Sequence, residues 1–226
     1  MAAFLETHSP KGTGLAIFGA GASGREVAWL AQQCWGGDLR LTFLVDRDDL
    51  VGSTQNGVPV VHVLDFAKRS PQTPVVVAVG DPGKRKRCAD LCSQAGLEFA
   101  SLVHPRVETS HWVTIGKGTI VCAGSILTTN IQIGDHVHVN IDCAISHDAI
   151  VGDFATLSPG VNISGWVTIG CGAFLGTGSI VVNGSAHRPL VVGENAIIGA
   201  GACVIGDVDP NSTVVGVPAA DRAQRR

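Results

Sequence analysis

From Ile115 onward an aliphatic residue recurs every six positions: Ile115, Val121, Leu127, Ile133, Val139, Ile145, Val151, Leu157, Ile163, Ile169, Leu175 and Val181. Four residues further along each six stands a small or β-branched residue, as at Thr119, Ser125, Val137, Cys143, Ala149, Ala155 and Ala173. Glycine often follows the aliphatic one, as at Gly116, Gly134, Gly152 and Gly170. Neither the helical period of 3.6 nor the strand period of 2 explains a repeat of six. Six residues make one short strand and one turn. Three such units close a triangular coil of about 18 residues, and coils stack about 4.8 Å apart, the spacing of hydrogen-bonded strands. The pattern predicts a parallel β-helix with aliphatic interior columns, small residues at the corners, and Gly, Asn or Asp in the strained turns. Its winding sense is not contained in the pattern, because parallel crossovers are normally right-handed.

The register breaks once. Val181 is followed by Val192, Ile198 and Val204, so the first step is eleven residues where six are expected. The surplus lies within residues 183–189 (NGSAHRP) and is expected to leave one corner as a loop. Such a loop either carries function or is a tolerated insertion.

Ahead of this region the pattern changes. Residues 14–18 (GLAIF), 41–45 and 74–79 read as short apolar strands, and residues 25–34 and 84–95 as helices. Alternating strands and helices imply an α/β fold around a parallel sheet. The expected organisation is a loose tail at 1–12, a small Rossmann-like domain at 13–101, and a β-helix with a C-terminal tail at 102–226.

Composition sharpens this picture. The 29 glycines, 5% aromatics and absence of tyrosine suit many tight turns between aliphatic strands. A net charge of −3 gives no hint of nucleic acid or anionic membrane as partner. Seven cysteines, an odd number without paired zinc spacing, read as reduced, packed thiols of a cytosolic protein. No signal peptide is evident, and no apolar run of about 18 residues could span a bilayer. A soluble, cytoplasmic protein is expected.

GAGASG, residues 19–24, follows a strand and opens a helix, and Asp46 ends the next strand. Bare amides at a helix N-terminus bind pyrophosphate, and a carboxylate after the second strand can hold ribose hydroxyls or a base edge. Gly21, Ser23 and Gly24 are therefore candidate phosphate-loop residues. Arg25 either pairs with a phosphate or is a solvated first-turn cation. Gly80 and Asp81, closing the third strand, point toward the same crevice. About 90 residues are little more than one of the two mononucleotide halves of a full dinucleotide fold. One nucleotide diphosphate bearing a small group thus fits better than NAD. The run Lys84-Arg85-Lys86-Arg87 reads as a solvated helix face.

The segment AISHDAIVGDF interrupts the aliphatic monotony with His147 and Asp148. His147 falls at a corner, so its ring is expected to project outward. Asp148 can accept from one ring nitrogen and leave the other free to take a proton. One coil later stands Gly165, whose amide is suitably placed to donate to an oxyanion. The bland alternative is a surface histidine in a turn. His136 and His138, with His111 or His147, would have to converge across a subunit boundary to bind a metal, and no metal is expected.

Together, GAGASGREV, the acid ending the second strand, ISHDAIVGDF, LSPGVNISG and the tail VVGVPA resemble the PglD/NeuD-like sugar acetyltransferases, a hexapeptide-repeat family. The resemblance implies a left-handed β-helix, a homotrimer, and acetyl-CoA lying between neighbouring β-helices. It further implies a nucleotide-linked amino sugar, UDP or GDP, held by the N-terminal domain, and a place in bacterial glycan biosynthesis. Carried over by position, His147 matches the general base, Asp148 its partnering acid, and Gly165 the glycine whose amide meets the thioester carbonyl. Ser23, Gly24 and Arg25 match the phosphate-loop segment and Asp46 the nucleoside-binding acid. Arg25 stands where histidine is common, and Thr156 where some members have a second histidine. N-acetylation of a 4-amino-4,6-dideoxy sugar is the leading expectation. O-acetylation, or a silent nucleotide-sugar-binding scaffold, are the alternatives.

Overall fold

The computed structural model describes residues 14–36 and 38–222. The tail expected at residues 1–12 lies outside the described residues. Contacts divide the chain into two compact units, the division falling between Pro105 and Arg106 in sequence.

The first unit is built on parallel strands β1 (Gly14–Phe18) and β2 (Arg40–Val45), joined by helix α1 (Ala22–Trp35). A hairpin of β3 (Thr54–Gln55) and β4 (Val58–His62) leads into α2 (Val63–Arg69), then β5 (Val75–Val77) and α3 (Pro82–Gln94). The strand order is β3-β4-β2-β1-β5, with only β3 antiparallel to its neighbour. Leu15, Ile17, Phe43, Leu44 and Val75–Val77 are buried, as strands covered on both faces by helices require. The hairpin and α2 are additional to the elements expected from the sequence.

The second unit is a parallel β-helix, left-handed as the resemblance implied. Its three sheets pair residues one coil apart: Ile126 with Ala144 and Ala144 with Asn162 in the first, Gln132 with Ile150 in the second, His138 with Thr156 in the third. The columns are filled as the period predicts. Val121, Leu127, Val139, Ile145, Leu157, Ile163, Leu175 and Val181 are fully buried, as are Thr119, Ser125, Ala149, Ala155 and Ala173. Each large aliphatic buried contributes about 1.5–3 kcal/mol, so the repeat is also the source of stability. From Gly118 to Gly178 each six turns through one left-handed residue, and the position is held by glycines such as Gly160, Gly172 and Gly178, by Asn130 and Asp142, and also by His136, Phe154 and Trp166. The surplus residues do leave a corner. Loop 183–189 is exposed apart from Gly184, and Ser185 and Arg188 pair across its neck.

Candidate active site

The glycine-rich loop of the first unit divides its labour. Gly19 turns the chain with φ 112°, a region open to glycine. Gly21 precedes α1 in extended conformation. Gly24 is buried, and a Cβ there would overlap the Gly19 carbonyl, so it permits close helix–strand packing. Beyond the carboxyl ends of β1, β2 and β5 opens a cavity of about 650 Å³. Its lining includes Gly21, Asp46, Arg47, Val79, Lys84 and Arg87. It lies where strand order reverses, the place open parallel sheets offer to ligands.

Of the residues singled out in sequence, Gly21 and Asp46 therefore meet at the cavity. Ser23 and Arg25 are exposed on the first turn of α1, outside its lining. Asp81 caps α3, its Oδ1 accepting from the Lys84 amide at 2.7 Å. The Gly80 carbonyl, with that of Val79, accepts from Arg85 Nη1 at 3.0 and 2.8 Å. Gly80 and Asp81 thus shape the loop beside the cavity without lining it.

The basic run departs from its expected solvated face. Lys86 meets that expectation, pairing with Asp90 at 3.0 Å. Arg85 is fully buried, and burial pulls its pKa down to about 10, which leaves it charged at neutral pH. Lys84 and Arg87 line the cavity with Cys88 and Leu91. Positions 84, 87, 88 and 91 share one helical face, so the spacing carried a signal that the sheer density of charge hid. Burial first, and the Asp46 carboxylate second, push the Cys88 thiol upward.

In the β-helix, the strand Ala144–Ile145 ends at the corner that carries the His-Asp pair. His147 Nδ1 lies 2.8 Å from Asp148 Oδ2, with the side chains 44% and 36% exposed. Asp148 takes the left-handed position of its six (φ 57°), which its short polar side chain tolerates. One coil earlier, Asn130 donates from Nδ2 to the other Asp148 oxygen at 3.3 Å. One coil later, Gly165 lies against the imidazole, and a Cβ there would stand 2.6 Å from Nε2. At another corner the Lys117 and Asp135 amides donate to the Asp135 and Asp153 carboxylates of the following coil. Above Gly165 the following coil supplies Asn183, whose Nδ2 donates instead to the Gly184 carbonyl. No acceptor for the Gly165 amide is found among the described residues.

Two neighbours were not read from the sequence. Asn130 sits 18 residues before Asp148, a spacing that arithmetic could have found. Trp166 places its ring 4.6 Å from that of His147 at 86°. Two other candidate histidines are engaged elsewhere. His136 stacks on Phe154 at 4.9 Å, and His138 is buried on the third sheet. Among the described residues no group of three His, Cys, Asp or Glu side chains is placed to hold a metal ion. None of the seven cysteines is in a disulfide, and Cys171 is exposed where packed thiols were expected.

An imidazole braced by a carboxylate, with an unengaged glycine amide beside it, can take one proton and steady one oxyanion. Acyl transfer from a thioester asks for both. At a β-helix corner, this arrangement marks an acyltransferase of the hexapeptide-repeat class. A family model described as the PglD N-terminal domain matches residues 14–91. Over 209 residues the chain is 35% identical to the GDP-perosamine N-acetyltransferase of Escherichia coli O157:H7, covering 90% of this chain and 93% of that relative. WeeI from Acinetobacter baumannii AYE superimposes with a TM-score of 0.85 at 32% identity, covering 92% of this chain and 98% of its own. The acetyltransferase domain of PglB from Neisseria gonorrhoeae FA1090, solved with acetyl coenzyme A, gives 0.82 at 32% identity, with the same coverages. The chain belongs to the PglD/NeuD-like family of sugar acetyltransferases, acetyl-CoA-dependent enzymes that act on nucleotide-linked amino sugars.

Proposed function

We propose that this chain transfers acetyl from acetyl-CoA to the amine of a nucleotide-linked 4-amino-4,6-dideoxy sugar, and that the nucleotide is GDP. The chemistry rests on the 2.8 Å contact between His147 Nδ1 and Asp148 Oδ2 beside Gly165. The choice of GDP rests on the likeness to the GDP-perosamine enzyme along 93% of its length.

Asp148, ionised, keeps the His147 proton on Nδ1 and leaves Nε2 as acceptor. The amine lone pair attacks the acetyl carbonyl while Nε2 takes an amine proton. The Gly165 amide donates to the oxygen as negative charge grows there. The C–S bond then breaks as the tetrahedral centre collapses to the amide, and the imidazolium returns the proton to the departing thiolate. Such base assistance contributes about 10²–10⁴-fold. In the first unit, Asp46 holds the nucleoside and Gly21 faces the diphosphate, with Ser23, Gly24 and Arg25 on the same loop and turn. Lys84 and Arg87 add the positive charge that a diphosphate needs, and Gly80 and Asp81 fix the opposite loop.

The same reading makes the enzyme a cytoplasmic homotrimer. Aliphatic side chains point outward from the β-helix, Ile126 and Ile180 on one face and Ile150 and Val191 on the next. They offer apolar surface for subunit packing, and sedimentation at a monomer's mass would remove the trimer. Among the described residues no helix is long and apolar enough to cross a membrane.

The test is a mass-spectrometric end-point assay with acetyl-CoA and GDP- or UDP-linked 4-amino-4,6-dideoxy sugars. The expected result is one added acetyl group on the GDP sugar, abolished in His147→Ala. Acetylation only of the UDP sugar would overturn the nucleotide, and acetylation only of sugars lacking an amine would overturn the reaction.

A further inference from the structure

We propose that Trp166 is a positioning residue for the base: its indole holds the His147 ring in the orientation that serves transfer. This rests on the proposed function of His147.

The argument starts from an unfavourable backbone. Trp166 has φ 51°, a left-handed conformation that is an outlier for a bulky residue and open to glycine or asparagine. The equivalent turns at Gly160, Gly172 and Gly178 use glycine. Strain of this kind at a site asks what the side chain gives in return. Phe154, another bulky residue in such a turn (φ 59°), stacks on the residue one coil below it, His136, with the planes 9° apart. Trp166 has no such aromatic neighbour on its own ladder, where the positions one coil away are Asp148 and Gly184. Its ring turns to His147 instead, at 4.6 Å and 86°. Its amide donates to the His147 carbonyl at 3.1 Å, the same ladder bond that Phe154 makes to Asp135, and this sets the indole beside the histidine.

The need for such a contact follows from the geometry of the base. The Asp148 hydrogen bond fixes Nδ1 but leaves the ring free to rock about that contact. Gly165 lies against the imidazole but has no side chain to grip its edge. The indole adds that edge contact, at 4.6 Å and 86°. A displacement of about 1 Å at a reacting group can cost on the order of 10²-fold in rate.

The test compares Trp166→Asn and Trp166→Phe with the wild type. Asparagine suits a left-handed turn, so a purely structural role predicts an unchanged or raised Tm and unchanged turnover. Positioning predicts that Trp166→Asn lowers kcat roughly 10–100-fold. It also predicts a KM for both substrates within about twofold of wild type, and recovery of most of kcat in Trp166→Phe. Two-dimensional NMR of the histidine rings gives a second readout, with His147 identified by the signal lost in His147→Gln. The indole ring current displaces that signal in the wild type, and Trp166→Asn should abolish the displacement. Unchanged kcat, or a loss of kcat matched by a loss of Tm, would overturn the proposal. If the wild type transfers no acetyl group, the proposed function fails first. The positioning role then falls with it, whereas an undisplaced His147 signal in an active wild type would overturn the positioning role alone.

Discussion

His147 and Gly165 meet because they stand one coil apart in the β-helix. Gly21 and Asp46 meet because β1 and β2 are parallel neighbours joined by a helix. In the solenoid, every coil sets the same steric problem, so a residue's address follows from its place in the repeat. In the α/β unit an address depends on the order of a whole sheet, which no local pattern states. The solenoid holds the His147–Asp148 pair, the proposed base and its partner, on a frame whose neighbours are fixed by ladders on both sides. The sheet opens a cavity whose lining comes from strand ends, several loops and α3. On the proposed function, chemistry and recognition are thus divided between two kinds of architecture.

The strongest challenge to that division is His147→Ala. Turnover should fall about 10²–10⁴-fold, the usual worth of a general base. Isothermal titration should still show the nucleotide sugar binding, and loss of binding with turnover would show that the two regions do not divide the work. Next comes Gly165→Ala, whose Cβ would land on the imidazole. Its kcat should drop roughly 10²-fold. Its Tm should change little, because Gly165 is outside the left-handed region. A large Tm loss would make the glycine structural. Asp46→Asn probes the other side. It should raise KM for the nucleotide sugar roughly tenfold with kcat unchanged, the mark of binding made equally in ground and transition states.

The smallest effect is in alkali. Burial pushes Cys92 up to about 12 and Cys34 and Cys143 up to about 11, from an ordinary 9.0. The folded state holds these protons more tightly than the unfolded chain. Their contribution is complete below pH 9 and fades as pH climbs through the folded values. Melting curves from pH 8 to 11 should show Tm falling. Because two of the three thiols belong to the α/β unit, replacing Cys34 and Cys92 together should flatten that fall more than replacing Cys143.

Much of the β-helix was legible because its aliphatics recur without a gap, and from Val121 to Val181 each is buried. Ile115, in the first full coil, is half-exposed. The β3–β4 hairpin and α2 were missed for local reasons. Pro59 breaks the run, and α2 has seven residues capped by His62, whose Nδ1 accepts from the Leu64 amide at 3.2 Å. His62 is not a residue that announces a cap. At the site, His147, Asp148 and Gly165 could be placed together by counting. Trp166 could not, since an aromatic in a turn meant for glycine gives no sign of what it faces. Lys84 and Arg87 were obscured by the two cations between them, one buried and one on the surface.

One further property follows from loop 183–189. It leaves where the Gly184 amide meets the Gly165 carbonyl at 3.1 Å and returns where the Leu190 amide meets the Trp166 carbonyl at 3.0 Å. Beyond it the strands resume in step, Val167 opposite Leu190 and Ile180 opposite Cys203. The coil therefore keeps phase without keeping length, as a sentence survives a parenthesis. The tip between Ser185 and Arg188 is accordingly a natural port for an epitope or a fluorophore, which could be spliced in without moving one core aliphatic.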